Sequence, residues 1–209
     1  DTAGAVIIGR TNTPTLALDM QTDNPIFGRT NNPWDVTRTS AGSSGGCATA
    51  LATGMTSLSL GSDLAGSIRL PASFCGVYGL KPTHGVVSFE GHIVPLPGQT
   101  NGYRTMAVAG PLARSVDDLA LALDVLTQPT SHDRNVAPLP ADVGGDVDIS
   151  KLRIAWTDNF GDVPVSEEIK DELHAFVNTL ARAGAVVHKI EPQGIDYNEI
   201  WETWGRFVG

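Results

Sequence analysis

Apolar positions recur along this chain with three different spacings. Near the N-terminus a short continuous run, AVII at residues 5–8, has the length and β-branched content of a buried strand. The thirty or so residues that follow are rich in Thr, Asn, Pro and Gly and keep neither a two-residue nor a 3.6-residue period. They predict a long structured loop. Residues 44–55 are almost all small, which suits a helix packed closely on its neighbours, and residues 58–60 predict a short buried strand. The VYGL that begins at Val77 predicts another. Behind Ser115, residues Val116, Leu119, Leu123 and Leu126 share one helical face, with Asp117 and Asp118 in the first turn. That combination is a capped helix start, because the serine oxygen and the two carboxylates both favour the unpaired N–H groups there.

Further along, residues 152–156 predict a strand and residues 185–190 a second one. Between them, residues 166–183 predict a helix that turns Ile169, Leu173, Phe176, Val177 and Leu180 inward. This is a βαβ unit, which points to an α/β architecture with a largely parallel sheet. Residues 128–150 carry Pro129, Pro138, Pro140, Gly144 and Gly145 and predict an exposed connection. The expected division is one domain, with a core over 1–127, that connection, and the βαβ unit plus the start of a further helix over 151–209. In that last helix Ile200, Trp201, Trp204, Phe207 and Val208 leave an unmatched apolar face. The opening DTAGAVIIG reads as the end of a helix running into a strand. Both ends suggest an internal piece of a longer chain.

Composition narrows the function classes. A formal net charge of −9 without a cluster of Lys and Arg argues against a nucleic-acid or anionic-membrane surface. Cys47 and Cys75 lack metal-site or CxxC spacing and predict buried free thiols in a reducing compartment. The run at residues 5–8 is too short for a signal sequence or a membrane span, so the cytoplasm is the expected location.

The chemistry concentrates in two glycine-bearing turns. The first, GSSGG at residues 42–46, admits three readings. As a phosphate cradle it lacks the Gly-Lys-Ser/Thr ending of a P-loop, since Cys47 and Ala48 follow. As a nucleophile elbow, Gly42, Ser44 and Gly46 satisfy G-x-S-x-G, and His84, His92, His132, His174 and His188 lie downstream. The preceding WDVTRTSA is poor material for the buried strand that an elbow needs. The third reading couples Ser43 to Ser67 in the second turn, GSDLAGSIR, where successive backbone N–H groups would make a nest for an oxyanion.

The long stretch AGSSGGCATALATGMTSLSLGSDLAGSIRLPASFCGVYGLKPT, residues 41–83, resembles the signature region of the amidase signature family. AGAVIIGRTN at the start, NPWD at 32–35 and GPLARSVDDLALALDVL at 110–126 agree with it, so the likeness is strong over residues 3–127. It implies an amidase signature fold, a mixed central β-sheet covered by α-helices on both faces, present here in part. It also implies hydrolysis of a carboxylic acid amide to an acid plus ammonia or an amine through an acyl-serine, with no metal or organic cofactor.

Carried over residue by residue, the resemblance makes Ser67 the nucleophile and Ser43, after a cis peptide bond, the serine that relays its proton to a neutral lysine. The backbone of Leu64, Ala65, Gly66 and Ser67 becomes the oxyanion hole, and Ser44, Asp63 and Arg69 become supports. Two departures stand out. Ala65 occupies a position usually held by glycine, and the family's lysine lies upstream of the serine loop, whereas Lys81, Lys151, Lys170 and Lys189 all follow it. Arg10, Arg29 and Arg38 cannot substitute, because a guanidinium stays protonated at any working pH. Lys81, in GLKPT, matches a structural position. The expected partner is a small-molecule amide, without nucleic acid or membrane, and with a homodimer left open. The stretch GHIVPLPG at 91–98 resembles stand-alone amidases more than the A-type chain of glutamyl-tRNA(Gln) amidotransferase. That amidotransferase chain is the first rival reading, and a non-catalytic scaffold lacking the base is the second. Trp34, Phe74, Tyr103, Trp201 and Trp204 are candidate pocket aromatics.

Overall fold

The computed structural model describes residues 3–92, 105–128, 133, 136, 137 and 147–208. The chain divides into two compact units, Asp1–Ala141 and Asp142–Gly209. Most of the connection predicted over 128–150, most of GHIVPLPG, Tyr103 and His132 lie outside the described residues.

In the first unit, three strands form one antiparallel sheet in the order β3-β5-β4. Strand β3 (Leu58–Asp63) pairs along its whole length with β5 (Val108–Ala113), and β4 (Tyr78–Gly79) takes the other edge of β5. Helix α1 (Gly45–Ala52) and helix α2 (Arg69–Cys75) pack with this sheet. Their shared core is Cys47, Ala48 and Leu51 from α1, Ile68, Ala72 and Cys75 from the α2 region, and Leu112 from β5. Fully burying a side chain the size of Leu51, Ile68 or Leu112 contributes about 1.5–3 kcal/mol each. The small residues of α1 are what allow this approach.

Helix α3 (Val116–Leu126) starts where the sequence predicts, with Ser115 Oγ accepting from the Asp118 amide at 3.1 Å. The long loop before α1 is structured as predicted. It contains a 3₁₀ turn at Thr15–Ala17 and a small hairpin of β1 (Asp23–Asn24) and β2 (Gly28–Arg29), closed by Asn24 Oδ1 accepting from the amides of Ile26 and Phe27.

Two expectations in this unit are corrected. Residues 5–8 form no strand, and Val6, Ile7 and Ile8 are exposed. Apolar content makes a strand only where a neighbour takes up the backbone N–H and C=O groups, and none does so among the described residues. Strand β3 exists but is not buried through its leucines, since Leu58 and Leu60 are exposed. Alternation puts Ser59, Gly61 and Asp63 on the other face, and that inward face is given to the serine loop and to a buried carboxylate.

The second unit is the predicted βαβ: β6 (Arg153–Trp156), α4 (Glu167–Arg182) and β7 (Val186–Lys189), the strands parallel from Arg153↔Val186 to Trp156↔Lys189. Ser166 caps α4, with Glu167 and Glu168 in the first turn and Arg182 in the last. Helix α5 (Tyr197–Val208) follows, with Trp201 and Trp204 stacked at 5.3 Å. Of the predicted inward face of α4, Val177 is buried while Ile169 and Phe176 are exposed, because a two-stranded sheet is too narrow to cover a helix of four turns. Among the described residues parallel pairing is confined to this unit, so the fold is α/β with antiparallel and parallel strands both present, rather than largely parallel. In the first unit α2 does connect β3 to β4, but β5 lies between these two strands and pairs antiparallel with both, so that strand–helix–strand connection makes no parallel pair.

Candidate active site

The site assembles where the serine loop meets the turn after β3. Ser43, Ser44 and Ser67 are all buried. The Ser44 amide donates to the Ser67 carbonyl at 3.1 Å, which ties the two turns directly together. The Gly42–Ser43 peptide bond is cis, as the family resemblance implies. Among the described residues, neither the Ser43 nor the Ser67 hydroxyl is committed to a protein hydrogen bond.

Glycines provide the clearance. A Cβ on Gly42 would stand 2.6 Å from the Asp19 carbonyl oxygen, so the loop at 19–21 lies against the peptide that precedes Ser43. A Cβ on Gly61 of β3 would stand 2.6 Å from Ser44 Oγ, which explains a glycine in the middle of that strand. Gly66, at φ +111°, occupies backbone that side chains avoid and opens the turn at Ser67.

Asp63 organises the second turn. Its carboxylate is fully buried at the end of β3 and accepts from the amides of Gly66 (2.8 Å) and Ile68 (3.1 Å). Arg69 closes on it with two parallel bonds, Nε at 3.0 Å and Nη2 at 2.9 Å. Burial pushes the Asp63 carboxyl up, but the Arg69 guanidinium and the two amides outweigh it and hold the group below the ordinary carboxylate range. The Arg69 guanidinium is half exposed and the carboxylate is not, so the pair is a built anchor and not a solvated surface contact.

This anchoring sorts the four nominated oxyanion donors. The Gly66 N–H is taken by Asp63, whereas the N–H groups of Leu64, Ala65 and Ser67 have no partner among the described residues. Ala65 has no positive φ, so its methyl group brings no backbone strain where the family usually has glycine.

The elbow reading is not supported by this geometry. Ser44 is preceded by irregular chain, with Ala41 in the left-handed region at φ 57°, and not by a strand. The four lysines of the chain each have a partner among the described residues. Lys81 is exposed and donates to the Pro82 carbonyl at 3.3 Å. In the second unit Lys151, Lys170 and Lys189 are paired with Asp148, Glu167 and Asp158. No group of His, Cys, Asp and Glu suited to a metal occurs among the described residues. Cys47 and Cys75 are buried free thiols, as predicted.

Sequence reasoning misses Thr22 and Ser40 and assigns no role to Asn32 within NPWD; all three are buried. Asn32 donates to the carbonyls of Thr39 (3.1 Å) and Phe74 (2.8 Å), and Trp34 Nε1 donates to the Cys75 carbonyl (2.8 Å). The NPWD segment thus fastens the loop to the end of α2. Its signal is a polar cluster inside an otherwise glycine-rich loop.

Comparison with known proteins agrees with the fold and the motif. The family model described as Amidase matches residues 1–202, and the chain belongs to the amidase signature family. It is 38% identical over 193 residues to the A-type chain of glutamyl-tRNA(Gln) amidotransferase from Legionella pneumophila, covering 90% of this chain and 38% of that one. Indoleacetamide hydrolase of Bradyrhizobium japonicum is 36% identical over 207 residues, covering 97% of this chain and 42% of that protein. Among solved structures, fatty acid amide hydrolase superposes with a TM-score of 0.80 at 34% identity, over 88% of this chain and 32% of its own. The chain therefore spans about two fifths of the curated relatives it matches. No helix among the described residues is long and apolar enough to cross a membrane.

Proposed function

We propose that the complete protein hydrolyses a carboxylic acid amide through an acyl-Ser67 intermediate. The observation that carries this reading is the tie between Ser44 and Ser67, which holds two buried, uncommitted hydroxyls on adjoining turns beside three free backbone N–H groups. In the reaction, Ser67 Oγ bonds to the amide carbonyl carbon as its proton passes to Ser43 Oγ, and the Ser43 proton passes to a neutral lysine. The N–H groups of Leu64, Ala65 and Ser67 receive the oxyanion. Collapse breaks the C–N bond, and the departing nitrogen takes the proton back through Ser43. Water then repeats the sequence on the ester, releasing the acid and restoring Ser67. The resemblance places the lysine before the serine loop, where residues 1–42 have none, so it is assigned to a residue outside these 209.

The likeness to the amidotransferase chains favours one second reading, in which the amide is glutamine and the ammonia passes to a partner protein. Both readings share the site and differ in what switches it on. The full-length protein is incubated alone with acetamide, benzamide and indole-3-acetamide, and ammonia release is followed. Turnover alone supports the free-standing amidase. Release only from glutamine, and only with partner proteins added, supports the second reading. No release in either arm overturns both in favour of a non-catalytic scaffold.

A further inference from the structure

Thr22 lies in no motif of the chain, yet it is fully buried beneath the serine loop. Its hydroxyl donates to the Ala41 carbonyl at 2.8 Å, stands 3.4 Å from the Ser43 carbonyl, and accepts from the Gly45 amide at 3.1 Å. Three backbone groups on both sides of Ser43 therefore converge on one side chain. We propose that Thr22 is a positioning residue for Ser43, fixing the backbone from Ala41 to Gly45 so that the Ser43 hydroxyl is held in place for proton relay. The proposal rests on the amidase reading above.

Three further observations support it. Ala41 is a non-glycine residue at φ 57°, a conformation that persists only where its surroundings fix it. Hydroxyls hold it at both peptide groups: Thr39 Oγ1 accepts from its N–H at 2.9 Å, and Thr22 takes its carbonyl. Thr22 is itself braced, because its carbonyl accepts from the Thr30 amide at 2.8 Å at the base of the β1–β2 hairpin. Ser40 Oγ completes the frame by donating to the Thr30 carbonyl at 3.0 Å. Finally, Gly45 leaves no room for a Cβ, which would meet Thr22 Oγ1 and Ser40 Oγ. The hydroxyl therefore contacts the loop where α1 begins.

A positioning role differs from a merely structural one in what it changes. Replacing the hydroxyl by an isosteric methyl leaves the Gly45 N–H and the Ala41 carbonyl buried without this partner. Small misplacement of a reacting group lowers rate far more than affinity. The test uses the full-length protein and a fluorophosphonate probe, with the Ser67 adduct followed by peptide mass spectrometry and thermal midpoints measured alongside. Thr22→Val is expected to slow labelling of the folded protein about 10- to 100-fold, with the probe concentration at half-maximal rate unchanged. Thr22→Ser, which keeps the hydroxyl, is expected to stay within about threefold of wild type. If Thr22→Val does not fold, Thr22→Cys carries the test, with labelling slowed at least about threefold by its weaker, larger hydrogen-bonding group. A folded Thr22→Val or Thr22→Cys variant labelled at the wild-type rate overturns the role of Thr22 alone. A wild-type protein never labelled at Ser67 overturns the amidase reading, and this proposal with it.

Discussion

The Ser44 amide donates to the Ser67 carbonyl at 3.1 Å, and this single backbone bond joins the two glycine-bearing turns of the chain. Everything else at the site supports one side of that bond or the other. Thr22, Ser40 and the glycines shape the Ser43 side, while Asp63 and Arg69 shape the Ser67 side.

The Asp63 anchor has a pH signature. Its folded carboxyl titrates below the ordinary value of 3.8, so the stability it contributes is fully present above that value and is lost as pH falls through the lower folded one. Asp63→Asn is expected to lose about 2–4 kcal/mol at pH 7, because the buried amide cannot replace the charge-assisted bonds to Arg69, Gly66 and Ile68. Urea unfolding at pH 7, 4 and 3 checks this: the difference between wild type and variant narrows as the pH drops.

Gly45→Ala tests the clearance under the loop. The added methyl would meet Ser40 Oγ at 2.6 Å and Thr22 Cβ at 2.9 Å, neither of which is the free end of a flexible side chain. Overpacking of about 1–3 kcal/mol is expected, together with a fall in Ser67 labelling of at least about tenfold. Gly9→Ala, where an added Cβ meets nothing and the backbone is not left-handed, controls for the loss of a glycine as such.

In the second unit, Asp158 receives Lys189 Nζ at 2.6 Å and His174 Nε2 at 2.9 Å, joining β7 and α4 to the end of β6. These two partners hold its carboxyl down at about 2. The clamp therefore stays charged on the Asp158 side above the ordinary range near 3.8 and is released only as pH falls through about 2. Asp158→Asn is expected to raise amide hydrogen exchange in β7 and the middle of α4 at pH 7. Unchanged exchange there would show that the clamp does not hold these elements.

Much of this was legible in the sequence because local chemistry and local structure agree. Ser115 and Ser166 each sit before an apolar helical period and each caps the helix it announces. The β6–α4–β7 unit follows from spacing alone. What failed depended on neighbours. Val6, Ile7 and Ile8 have strand composition without a pairing partner, and Leu58 and Leu60 yield the inward face of β3 to Gly61 and Asp63. The proposed roles of Ser67 and Ser43 were legible only through the family motif, since spacing left the elbow reading open. Thr22 was illegible because its partners, Ala41 and Gly45, are distant in sequence and contribute only backbone atoms.

The central claim is that Ser67, and not a serine of the GSSGG loop, attacks the substrate. The direct measurement is the position of the fluorophosphonate adduct on the full-length protein, in wild type and in the Ser67→Ala and Ser43→Ala variants. The expected result is an adduct on the peptide carrying Ser67, abolished by Ser67→Ala and slowed by at least about a hundredfold by Ser43→Ala, with both variants folded. An adduct on Ser44 or Ser43 that persists in Ser67→Ala would contradict it.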